Sequence, residues 1–121
     1  QICQLVFIIR IISAFSPILS PGQVPWGIKA FSAYLGEDKA SWKAWDASEL
    51  VKEASVPPIL ITQGTQDDFY PKQLDETYFL KNARENNQTV HYRKMEGYDH
   101  SYFFIATFLE DHFAFHMSHF K

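Results

Sequence analysis

The chain has 121 residues, 46% of them hydrophobic and 17% aromatic, and a formal net charge of −3. That is enough apolar material for a buried core, and the slight acidity leaves no electrostatic footprint for nucleic acid. The single cysteine, Cys3, excludes an internal disulfide framework and points to a reducing, cytoplasmic setting, while the longest apolar run, Leu5 to Ile9, is too short to cross a bilayer.

In chain order, Leu5 to Ile12 is apolar but broken by Arg10, and no basic segment precedes it, so it does not read as a secretory signal. The chain begins at Gln1 and its only methionines are Met95 and Met117. The expectation is therefore a fragment, a processed product or a defective gene model. Ile11 to Phe15 reads as a buried strand stopped by Pro17. Ser16 to Gly27, with three prolines and two glycines, reads as a loop. Lys29 to Leu35 predicts a short helix closed by Gly36 in the left-handed region. Asp46 followed by Glu49 resembles a capping box and predicts a helix to about Ala54, ended by Pro57-Pro58.

Ile59 to Thr62 is apolar without alternation, as in a strand covered on both faces. Pro71 is a natural first-turn residue for a helix running to Asn86-Asn87. Thr89 to Lys94 alternates and predicts a further strand. From Ser101 to Met117, Phe104, Ile105, Phe108, Leu109 and Phe115 recur at three- and four-residue spacing, as on a helix. Strands alternating with helices argue for an α/β fold with a mostly parallel sheet. Three strands make a thin sheet with two open edges, which predicts that part of the sheet lies elsewhere.

Chemistry concentrates past two strand ends, where open parallel sheets bind ligands. Asp67 follows one strand and His100 another. A carboxylate on one imidazole nitrogen fixes its tautomer, and the other nitrogen can then take a proton from a hydroxyl. Asp, a helix, then His is also the second half of a Ser…Asp…His order. Taken singly, Asp67-Asp68 reads as turn chemistry and His100 as a surface or capping group. No Gly-x-Ser-x-Gly elbow occurs in the chain. Ser16 follows a strand but lacks flanking glycines, and Ser101 sits where a helix cap would, so neither reads as a nucleophile. Asp99 reads as a cap of the last helix. His112, His116 and His119 share helical spacing, but no further ligand is evident, and they read as helix-end histidines and not as a metal site.

Three stretches carry a family resemblance. They are Pro25-Trp26-Gly27-Ile28-Lys29-Ala30-Phe31-Ser32-Ala33-Tyr34-Leu35-Gly36, then Gln63-Gly64-x-x-Asp67-x-Phe69, then the run from Gly97-Tyr98-Asp99-His100-Ser101 to Phe108. From about Ile12 to the C-terminus the chain resembles S-formylglutathione hydrolases, also called esterase D. The resemblance implies the C-terminal portion of an α/β-hydrolase domain, with residues 1–10 unmatched. It implies cofactor-free hydrolysis of S-formylglutathione to formate and glutathione, in formaldehyde catabolism. It places the triad acid on Asp67, the base on His100, and the serine and oxyanion donors before Gln1. Trp26 becomes a substrate-lining candidate beside a core-packing role. No metal, nucleic acid or membrane is implied; a homodimer of the full-length enzyme is left open. Departures are Ser20-Pro21, where the family usually has Asn-Pro, and Thr62, where it often has Asp. Alternatives are a general carboxylesterase, a non-catalytic partner that pairs with a hydrolase through an open sheet edge, and a gene-model artefact. The chain alone is expected to be inactive.

Overall fold

A computed structural model describes residues 11–120. The unmatched segment 1–10, with Cys3 and the apolar run, lies outside the described residues. The chain divides into two compact units, one formed by Gln1–Ser16, Val56–Asp68 and Thr89–Lys121, the other by Pro17–Ser55 and Phe69–Gln88.

The first unit holds the sheet. Strands β1 (Ile12–Phe15), β2 (Ile59–Gly64) and β3 (Val90–Met95) run parallel in the order β1-β2-β3. Ile12 pairs with Ile59 and Ile59 with Val90, so the C-terminal ends of all three strands share one rim. All six residues of β2 are buried, which accounts for its unbroken apolar start. A helix, Tyr102–His119, packs on β1 and β2. It starts at its cap: the Ser101 hydroxyl accepts the Phe104 N–H, and Asp99 accepts a hydrogen bond from Ser101. The cap is thus Ser101, not Asp99. The buried line of this helix runs through Phe104 and His112, while Leu109 faces outward. Phe104 meets Phe15, Tyr98 and Phe108 at ring distances of 5.8, 5.9 and 5.5 Å. The fold is α/β with a parallel sheet, as the alternation of strands and helices predicts.

The second unit is helical. Its first helix, α1, is Pro25–Leu35, four residues longer at the N-terminus than the periodicity predicts. Pro25 needs no donor there, and the Trp26 N–H is satisfied by Gln73 Oε1 at 2.9 Å, a partner 47 residues away. Gly36 closes α1 at φ 85° with an extended ψ of −175°, a glycine conformation outside the left-handed helical region predicted for it. A one-turn helix, α2 (Lys39–Trp42), follows, capped by Asp38 and too short to show periodicity. Then comes α3 (Ala47–Leu50), capped by Asp46. Asp46 Oδ1 accepts from Ser48 N and Oγ, and Oδ2 from Gly22 N. Glu49 does not close a capping box. Its carboxylate turns to Lys52 and Tyr78, and the Lys52 hydrogen bond holds it below the ordinary value of 4.5. The helix stops at Leu50 because Asn86 Nδ2 takes the Val51 and Ala54 carbonyls.

The next helix, α4, is Thr77–Glu85. Pro71 does not start it: residues 69–74 form turns, and the Asp75 carboxylate accepts the Thr77 N–H at 2.7 Å where the helix begins. Its stop is as predicted, with Asn86 at the cap and Asn87 at φ 54°. The Tyr102–His119 helix of the first unit is α5.

Candidate functional site

Two loops at the strand rim carry Asp67 and His100, and backbone bonds fasten them together. Thr65 N–H donates to Met95 O and Gln66 N–H to Tyr98 O, at 3.0 and 2.9 Å. The Gly97 N–H donates to Thr65 Oγ1. Gly64 lets this happen: a Cβ there would lie 2.2 Å from the Tyr98 carbonyl oxygen. The sequence folds this way because Gly64 is the one residue type that admits such an approach at the end of β2.

The two side chains singled out in sequence meet at this rim. Asp67 Oδ2 lies 2.7 Å from His100 Nδ1. The Asp67 side chain is fully buried, whereas that of His100 is 46% exposed. An ionised carboxylate only accepts, so Nδ1 carries the hydrogen and Nε2 of the neutral ring is the basic nitrogen. The same Asp67 Oδ2 also accepts from Gln63 Nε2 at 3.0 Å. Gln63 was seen in the sequence only as part of a motif, and its approach to Asp67 needs the β2-end geometry to be visible.

His100 lines a cavity of about 370 Å³ together with Phe15, Ser16 and Phe104. Ser16 follows β1 at φ 46°, and among the described residues its buried hydroxyl has no hydrogen-bond partner, so it makes none to His100. Ser101 is engaged as a helix cap. Trp26 belongs to the second unit, where it is 44% exposed and its ring lies 4.7 Å from that of Phe69.

The C-terminal histidines divide differently from the sequence reading. His112 is a core residue: its Nε2 shares a 2.8 Å hydrogen bond with Thr62 Oγ1, and its ring stacks on Phe15 at 3.8 Å. Thr62, a departure from the family pattern, is thereby the partner of a buried imidazole. Burial first, then the charges of His116 and Arg93, push His112 below its ordinary value of 6.5, against an opposing pull from Asp111. His116 Nε2 bonds Ser13 Oγ, and His119 lies against the Phe115 carbonyl. Among the described residues no cluster of three or more His, Cys, Asp or Glu is placed to hold a metal, and no helix is long and apolar enough to cross a membrane.

Comparison with known proteins gives a consistent family. The esterase family model ("Putative esterase") matches residues 10–115. Among solved structures, an S-formylglutathione hydrolase from Agrobacterium tumefaciens is similar over 98% of this chain, at 35% identity and a TM-score of 0.92. The match covers 43% of that enzyme, so this chain spans less than half its length. Esterase B from Lactobacillus rhamnosis (19% identity, TM-score 0.66, 89% of this chain and 40% of that one) shares the fold. So does Thermogutta terrifontis esterase 2 (21%, 0.60, 89% and 43%).

Proposed function

This chain belongs to the esterase family, and from that premise we propose that it supplies the acid and the base of a serine hydrolase acting on S-formylglutathione. The observation that carries the reading is the 2.7 Å contact between Asp67 Oδ2 and His100 Nδ1 at the strand rim. The likeness to an S-formylglutathione hydrolase supports the substrate.

In this mechanism the nucleophilic serine comes from outside these 121 residues, which contain no Gly-x-Ser-x-Gly elbow. His100 Nε2 takes the serine proton as Oγ attacks the thioester carbonyl carbon. Asp67 keeps Nδ1 protonated and stabilises the imidazolium that forms. The carbon–sulfur bond breaks, and the imidazolium returns its proton to the departing glutathione thiolate. His100 Nε2 then deprotonates water, which attacks the formyl ester; the acyl–oxygen bond breaks, the imidazolium returns the proton to the serine Oγ, and formate leaves. Trp26 is carried as a substrate contact by the resemblance alone; a cytoplasmic site of action rests on the resemblance and on the reducing setting that the single cysteine suggests.

The test is a chimera in which this chain replaces the matched part of the Agrobacterium enzyme. It is expected to hydrolyse S-formylglutathione in preference to short aryl esters. The His100→Ala form is expected to lose at least about 10³-fold in kcat. Equal efficiency on both substrates would favour a general carboxylesterase, and activity indifferent to His100→Ala would overturn the reading.

A further inference from the structure

Gln63 sits at the end of β2, 1% exposed, with the donor side of its amide committed. Nε2 donates to Asp67 Oδ2 at 3.0 Å and to its neighbour's Gly64 carbonyl at 3.2 Å. Among the described residues, Oε1 is buried without a hydrogen-bond partner. Turning the amide over would not help, because its oxygen would then face a carboxylate and a carbonyl, both acceptors. The side chain therefore leaves one buried acceptor unsatisfied so that both donors can be used. An unsatisfied buried group of this kind calls for a physical reason.

The reason lies in which carboxylate atom receives the bond. Oδ2 is the oxygen that also meets His100 Nδ1. Two donors on one oxygen pin its position, from β2 on one side and from the loop after β3 on the other. We infer that Gln63 is a positioning residue that holds the Asp67 carboxylate in register with His100 and so locks the imidazole in its Nδ1–H tautomer. Gln63 touches neither substrate nor the reacting atoms; it acts through Asp67. The inference rests on the acid–base reading of the Asp67–His100 pair.

The experiment is ¹⁵N and ¹H NMR of the 121-residue chain, labelled in its histidine rings and glutamine side chains. The wild type is expected to show His100 in one tautomer with a slowly exchanging Nδ1 proton. Asp67→Asn, which tests the pair itself, should mix the tautomers. If it does not, the acid–base reading fails. Gln63→Met, linear and without a donor, should also mix them and speed Nδ1 proton exchange about tenfold. The His112 ring signals should stay in place, reporting an intact β2–α5 contact. An unchanged His100 in folded Gln63→Met, beside a responsive Asp67→Asn, would overturn the inference and leave the pair standing. If Gln63→Met does not fold, the wild-type chain still decides. One Gln63 amide proton should lie downfield and move on Asp67→Asn, and a proton indifferent to that change would overturn the inference.

Discussion

A buried carboxylate that touches a half-exposed imidazole divides the labour of the pair. Asp67 is sealed from water and can only orient and stabilise, while His100 faces a cavity and can exchange a proton with what enters it. Asp67→Asn preserves the shape but reverses the donor preference, so Nδ1 no longer needs its hydrogen. In the chimera this is expected to lower kcat about 10³- to 10⁴-fold, measured on S-formylglutathione. His112 makes a different residue-scale prediction. Among the described residues its Nδ1 is buried without a partner, so protonation would bury an unpaired donor and a charge. Its value is lowered in the folded state, so the unfolded chain binds the proton more readily. The stability it contributes is complete above 6.5 and is lost as the pH falls through and below that value. Thermal unfolding followed downward from about pH 7.5 should show a falling Tm, less steep in His112→Gln. Equal slopes would contradict this. Asp67 and His100 were legible in the sequence because a strand end and a Ser…Asp…His order flagged both. His112 was not, because helical spacing reads the same for a ring at a helix end as for one stacked on Phe15.

At the scale of elements, the strands were the easiest to read and the rim loops the hardest. Continuous burial left β2 no alternation to interpret, and its boundary moved by only two residues, to Gly64. Two of the helices that shifted, α1 and α3, did so because long-range groups cap them. Gln73 lets α1 begin at Pro25, and Asn86 closes the chain after α3. Local propensity carries no trace of a partner 47 residues away. Asp75 sets the start of α4 locally, yet Pro71 was the stronger sequence signal. The seam between the loops after β2 and β3 depends on Gly64. Gly64→Ala places a methyl group against the Tyr98 backbone, which cannot rotate away. It is expected to cost about 1–3 kcal/mol in chemical denaturation. It should also open the Asp67–His100 contact, seen as a mixed His100 tautomer. An unaltered His100 spectrum in a folded Gly64→Ala chain would show that the seam does not hold the pair.

For the whole molecule, the two units each carry their own packing. The sheet unit is built on β2 and Phe104, and the helical unit on the Asp46, Asn82 and Asn86 bonds to backbone. The division was not legible, because each unit is assembled from separated stretches of chain and no linker marks their edges. The family was legible from three short motifs, two of which carry Asp67 and His100. What an acid and a base contribute is an activated serine, and that activation can be read without reference to any substrate. The most direct measurement is the rate at which an alkyl fluorophosphonate labels the active serine of the chimera, with and without His100→Ala. The account predicts rapid labelling that falls by at least about 10³-fold in the variant. Labelling at the same rate in both would contradict it.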